Sequence, residues 1–328
     1  MLVLSGEDIR KLAPMPMAIE LVGTAFGNLA AGHALSPLRT SLEVLPGAGT
    51  TLVMPAYVPA TSALGVKIVS VFTGNAARGM PTITSLVALL DDQTGQPLAI
   101  MDGAYLTALR TGAVSGVATK LLAREDSTVV TVIGAGAQAL TQAAAICAVR
   151  AIERVIVTAR SQASLDRFRE QLGRDWPDVE DRLETTRDTP SAVRAADIIC
   201  TATSSHTPVF DDADVQPGTH INGVGSFTPQ MREIPALTVA RALVVVDQLE
   251  AALEEAGDLI MPERDRVIVR GHISRELGEL VNGSITGRTS IDEITFFKSV
   301  GNAVQDVAVG RFAYDEAIRR GMGQSVHL

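Results

Sequence analysis

Apolar residues recur along this chain with two periods. Met15, Ile19, Val22, Phe26 and Leu29 fall three or four residues apart, which predicts an amphipathic helix closed by Gly32. Just before it, Ser5 with Asp8 three residues on has the form of a capping box and predicts a helix start. Strand-like runs follow at 51–54, 65–72 and 85–90, and the turn-forming stretch 91–96 leads into a further run at 97–101. Successive strands joined by turns predict an antiparallel or mixed sheet. Residues 105–122, rich in alanine and other small side chains, then read as a long helix.

The pattern changes near residue 127. An apolar strand at 128–133 is followed by a glycine turn and a helix to about Val149, then a strand at 154–158 and a helix at 161–172. A weaker strand near Leu183, a short helix from Pro190 and strands at 198–201, 220–224 and 243–246 continue the alternation. Strands that are apolar on both faces, alternating with helices, predict a parallel, doubly wound sheet. After Asp247 the pattern becomes helical and polar, and the tail from about Ser299 is expected to return as a helix to the first domain.

The length of 328 residues suits two domains. The balance of 28 basic against 37 acidic residues gives a net charge of −9, which argues against a generic nucleic-acid or polybasic membrane surface but not against a local anion site. Residues 127–149 carry no charge, yet Gly134, Gly136, Gln138, Thr141 and Gln142 interrupt them, so a strand, turn and helix explain them better than a membrane span. The N-terminus meets an acidic residue early and lacks a basic stretch, so no signal peptide is expected. Cys147 and Cys200 lie in apolar runs and read as buried thiols, a usage that fits a cytoplasmic protein. The five histidines make no ligand pairs at metal-site spacing, and no metal is expected.

The strongest chemical signal is Val132-Ile133-Gly134-Ala135-Gly136-Ala137-Gln138-Ala139. Gly134 permits a tight turn, Gly136 lets a pyrophosphate approach the backbone, and Ala139 lets the helix pack near the strand. The helix N-terminus at Ala137 and Gln138 offers N–H groups to phosphates. The next strand ends Thr158-Ala159-Arg160-Ser161, where an NAD site ordinarily presents an acid. Arg160 and Ser161 suit a 2′-phosphate instead, so NADPH is the expected cofactor and NADH the alternative. The expected fold class is therefore α/β: a Rossmann-type doubly wound parallel sheet over residues 120–299, plus a discontinuous α+β substrate and dimerisation domain from 1–119 and 300–328.

Basic residues are sparse in the first third. Arg39, Lys67 and Arg110 stand out, and Lys67, between apolar strand residues, is either an outward-facing surface lysine or a site residue. His206 reads as a surface histidine, with a place bordering the cofactor as the alternative, and Asp306 as a helix-face carboxylate, with an approach to the active site as the alternative.

The stretches Gly65-Val66-Lys67, Pro81-Thr82-Ile83-Thr84, Thr107 to Ser115, Val132 to Gln138, Ile221 to Ser226 and Ser299 to Asp306 together resemble the ornithine cyclodeaminase/mu-crystallin family over nearly the whole chain. The resemblance implies that Arg39 and Lys67 grip a substrate carboxylate. It implies that Thr82 and Arg110 contact the cofactor, Arg110 at its phosphates, and that Gln138, Thr201, Thr203, Val224 and Ser299 lie on the cofactor side. It also implies a homodimer.

One departure narrows the chemistry. Deaminating members of the family carry an aspartate where this chain has Phe227, with Ser226 beside it, and no carboxylate is expected there. The resemblance with this departure implies an NADPH-dependent reductase of a preformed C=N bond. Its substrate would be a small carboxylate-bearing imine, a cyclic α-imino acid such as Δ1-pyrroline-2-carboxylate or Δ1-piperideine-2-carboxylate, and its product proline or pipecolate. The alternatives are an ornithine cyclodeaminase or amino-acid dehydrogenase, or a non-catalytic NADPH-dependent small-molecule-binding protein.

Overall fold

A computed structural model describes residues 1–327 except the side chains of Pro46 and Ala76. The chain divides into two units, Met1–Arg110 with Asn302–Leu328, and Thr111–Gly301. The first division falls inside the helix Gly103–Leu122, not at the expected 119/120. The reason is local. A Cβ on Gly112 would collide with the Thr141 carbonyl, so from that glycine onward the helix lies against the backbone of the helix Ala137–Val149 and belongs with it.

In the first unit, β1 (Leu2–Leu4), β2 (Thr40–Val44), β3 (Gly49–Val58), β4 (Ala63–Val71), β5 (Ile83–Leu90) and β6 (Pro97–Asp102) join the C-terminal strand β14 (Gln324–Ser325) in one sheet of order β14-β1-β6-β5-β4-β3-β2. Only β1 and β6 run parallel, so the sheet is mixed. The Ser5 capping box forms and opens the helix Gly6–Leu12. The tail forms a helix, Ala303–Arg320, that packs on β3, β4 and β5 and on the amphipathic helix Met15–Ala30. Along β4, Ala63, Gly65, Lys67 and Val69 alternate inward. A Cβ on Gly65 would stand 2.5 Å from the Ala88 carbonyl oxygen and 3.2 Å from Val307, so its absence lets the C-terminal helix sit close over the strand.

In the second unit, β7 (Val129–Ile133), β8 (Arg154–Thr158), β9 (Leu183–Thr186), β10 (Ile198–Thr201), β11 (His220–Gly223), β12 (Leu243–Val246) and β13 (Thr295–Lys298) form an all-parallel sheet of order β12-β13-β11-β10-β7-β8-β9. The doubly wound α/β class is what the alternation implied. Strand β13 corrects the helical and polar reading beyond Asp247: a four-residue strand ending in a lysine carries too short a pattern to register, yet it fills the place between β11 and β12. The core on one face combines Val130, Val132, Ile146, Val155, Val157, Phe168 and Cys200. Strand order reverses between β7 and β10, which opens a crevice at the carboxyl ends of these strands. No helix among the described residues is long and apolar enough to cross a membrane.

Candidate active site

Both units carry chemically active side chains. In the first, Lys67 points inward from β4 and is 2% exposed. Its Nζ lies 3.3 Å from Asp306 Oδ1, and Arg110 Nε lies 3.2 Å from the same oxygen. Asp306 is fully buried on the first turn of the helix Ala303–Arg320, not on a solvated face, because Gly65 lets that turn settle directly over Lys67. Burial lowers the Lys67 ammonium from its ordinary 10.5 to about 7; Arg110 pushes the same way, Asp306 opposes, and Arg39 adds a smaller downward push. Two buried cations thus share one carboxylate, with a third cation, the half-buried Arg39, acting on them. Such an excess of positive charge away from water is suited to an anion.

In the second unit a cavity of about 1080 Å³ opens at the carboxyl ends of β7, β8 and β10. Gly134 and Gly136 form its floor. Gly134 has φ +114°, and a Cβ there would lie 2.5 Å from the Ala202 carbonyl oxygen, so the tight turn requires glycine. Gly136 precedes the helix Ala137–Val149 as a cap without a side chain, and a Cβ there would meet nothing within 4 Å. The first-turn N–H groups therefore face open space, a cradle for phosphate. Arg160, Arg167 and Arg187 line the far wall with Ser161 and Ser164, and no acidic residue is among the lining residues. Ser161 caps the next helix through Ser164 N–H, which fixes the neighbourhood of Arg160. These features fit a dinucleotide with a phosphorylated adenosine ribose.

Of the expected cofactor residues, Gly134, Gly136, Arg160, Ser161 and Thr203 line this cavity, whereas Ala137, Gln138, Thr201, Val224 and Ser299 do not. Gln138 leaves its buried Oε1 without a hydrogen-bond partner. Thr82 and Arg110 belong to the first unit, where Arg110 is held by Asp306 and Thr82 receives the Phe72 N–H on its carbonyl oxygen. His206 is exposed, with its Nδ1 2.9 Å from the Gln230 carbonyl oxygen.

The hydroxyls of Thr201 and Thr203 are turned inward, toward a carboxylate that the sequence did not reveal. Glu233, fully buried, accepts the Thr201 hydroxyl, the Thr203 N–H and hydroxyl, and the N–H groups of Gly225 and Ser226. A carboxylate does therefore lie against the loop of Phe227. It is consumed by five donors, three of them N–H groups that only donate, so it acts as a tie between the loops after β10 and β11. Asp258, itself paired with Lys298 Nζ at 2.9 Å, accepts the Glu233 and Ile234 N–H groups and anchors this tie from behind. Asp247 does similar work after β13, taking the Ser299 hydroxyl and the Val300 and Gly301 N–H groups on one oxygen.

Burial pushes the Cys147 thiol up to about 11 and the Cys200 thiol up to about 12, away from the thiolate form.

Comparison with known proteins adds the lineage. The profile of the ornithine cyclodeaminase/mu-crystallin family matches residues 1–321. The chain belongs to this family. Within the ornithine cyclodeaminase/mu-crystallin family, it is 42% identical over 329 residues to a Δ1-pyrroline-2-carboxylate reductase of Bacillus cereus, covering 100% of each chain. The structure of Thermococcus litoralis Δ1-pyrroline-2-carboxylate reductase in complex with NADH and L-proline superposes with a TM-score of 0.94 at 42% identity, over 99% of this chain and 100% of that one. A dimeric archaeal alanine dehydrogenase with bound NAD gives a TM-score of 0.91 at 34% identity, over 100% of this chain and 99% of the other.

Proposed function

We propose that the chain is an NADPH-dependent reductase of cyclic α-imino acids, converting Δ1-pyrroline-2-carboxylate or Δ1-piperideine-2-carboxylate to proline or pipecolate. The observation that carries this reading is the buried Lys67, joined by Arg110 and opposed by a single carboxylate. Full-length identity to the Bacillus cereus reductase supports the reaction class.

When bound, the dinucleotide supplies a hydride for the imine carbon. Gly134 and Gly136 would hold its pyrophosphate against the helix N-terminus, and Arg160, Ser161 and Arg187 the 2′-phosphate. Arg39 and Lys67 would clasp the substrate carboxylate and fix the orientation of the C=N carbon, and positioning of this kind removes several kcal/mol from a barrier. The hydroxyls of Thr201 and Ser299 donate to Glu233 and Asp247 and stiffen the surrounding loops.

The loop after β11 favours reduction over deamination. Its carboxylate neighbour, Glu233, is fully hydrogen-bonded and leaves no free acid for a reacting amine. A homodimer is supported by the apolar side chains of Leu42, Ile83 and Leu86, exposed on the first sheet, and by the dimeric archaeal relative. Two thiols that stay unpaired support a cytoplasmic setting.

The test is an assay of NADPH oxidation over a panel of cyclic and linear imino acids, with ammonia release from ornithine measured in parallel. Turnover of the cyclic ketimines with no ammonia release is expected. Ammonia release from ornithine, or NADPH binding without turnover of any imine, would reject the proposal.

A further inference from the structure

Asp306 takes no part in the reaction as proposed, yet its setting is costly. The carboxylate is fully buried, Oδ1 serves both Lys67 and Arg110, and Oδ2 has no hydrogen-bond partner. Buried ionic groups of this kind are often replaced by apolar residues without loss of stability, so stability is a weak reason for one to stand here. Asp306 is the single charged residue between Lys298 and Arg311, on a buried turn whose other residues are Ala303, Val304, Gln305, Val307 and Ala308. The charged groups that act on Lys67 come from three segments. Arg110 on the helix Gly103–Leu122 and Arg39 before β2 are cations; Asp306 supplies the negative charge.

We infer that Asp306 is a positioning residue: through Oδ1 it holds the Lys67 ammonium charged and aligned with Arg110, so that Lys67 itself meets a substrate carboxylate as a cationic hydrogen-bond donor. This rests on the reading of Lys67 as the cation that binds that carboxylate. Asp306 acts through Lys67 and not on the substrate. Removing its charge leaves a buried ammonium facing only cations, which surrenders its proton at lower pH.

The experiment measures the pH dependence of kcat/KM for Δ1-pyrroline-2-carboxylate with NADPH in wild type, Asp306→Asn, Asp306→Glu and Lys67→Met. Asparagine keeps the size and removes the charge; glutamate keeps the charge and adds a methylene. Asp306→Asn is expected about two- to tenfold below wild type near pH 6 and roughly ten- to ninetyfold below it near pH 8, the result of moving a lysine titration down by one to two units. The loss should fall on KM, and Asp306→Glu should keep the wild-type alkaline limb. An Asp306→Asn profile parallel to wild type, or Asp306→Glu more damaged than Asp306→Asn, overturns the inference in favour of a space-filling role. If thermal melting shows Asp306→Asn unfolded, Asp306→Glu decides: a wild-type alkaline limb supports the inference and an acid-shifted limb overturns it. Lys67→Met with wild-type kcat/KM would instead reject the underlying role of Lys67, whereas a crippled Lys67→Met beside a parallel Asp306→Asn profile rejects the role of Asp306 alone.

Discussion

Glu233 Oε1 accepts both the backbone N–H of Thr203, at 2.6 Å, and its hydroxyl, at 2.8 Å. Its other oxygen takes Gly225 and Ser226, so a single side chain joins two loops at the edge of the cofactor cavity. Glu233→Gln turns an NH₂ toward at least one backbone N–H, which can only donate, and leaves that N–H unmet. The expected cost is on the order of 3 kcal/mol, read as a lower urea midpoint, together with a raised KM for NADPH. A variant with both quantities unchanged would show that the tie is dispensable.

The two glycines of the turn should fail in different ways. Gly134→Ala places a methyl against the Ala202 carbonyl at a positive φ and should cost about 1–3 kcal/mol as well as cofactor affinity. Gly136→Ala meets no protein atom. It should melt within about 2 °C of wild type yet bind NADPH more weakly in a fluorescence titration, because the methyl stands where phosphate must approach.

Arg160 and Arg187 can be tested by coenzyme choice. Each charge-assisted contact to a 2′-phosphate is worth about 1.5–3 kcal/mol, so Arg160→Ala should lower kcat/KM with NADPH by roughly ten- to a hundredfold while leaving NADH nearly untouched. Arg187→Ala should do the same more mildly. Equal losses with both coenzymes would mean that the arginines do not read that phosphate.

Lys67 should make stability depend on pH. Its folded value of about 7 lies below the ordinary 10.5, so between these limits the unfolded chain holds a proton that the folded chain has released. Stability from this group therefore rises with pH through that window and is lowest below about pH 7, where the buried charge is present in full. Lys67→Met should raise the melting temperature by a few degrees at pH 6, with a smaller gain at pH 9, while nearly abolishing turnover. A destabilised Lys67→Met at pH 6 would contradict this balance.

What could be read from the sequence was whatever neighbours in the chain decide. The turn at Gly134 was legible because strand, glycines and helix follow one another and agree, and Arg160 because it ends the very next strand. Lys67 was ambiguous. A lysine in a strand faces inward or outward according to which face is covered, and the cover here is a helix from the far end of the chain. Asp306 is ambiguous for the same reason: its default reading as a helix-face carboxylate fails and the alternative, an approach to the site, holds, with a lone acid in the stretch 299–310 as a usable sign of burial. Glu233 left no sign at all, since its five donors are supplied by loops that only the sheet brings together. The strand Thr295–Lys298 was lost because its charged end, buried against Asp258, looks solvated in one dimension.

The six strands β1 to β6 of the sheet that bears Lys67 lie within the first 110 residues, but the helix that roofs it, Ala303–Arg320, and the edge strand β14 follow only after residue 302. A ribosome therefore releases the lysine strand long before its cover, while the intervening parallel sheet emerges whole and is free to fold. Until residues 303–320 have emerged, the apolar underside of the first sheet stays bare and vulnerable to chaperone capture or clumping. A nascent chain halted before residue 302 should carry a native nucleotide fold beside an unfinished anion pocket.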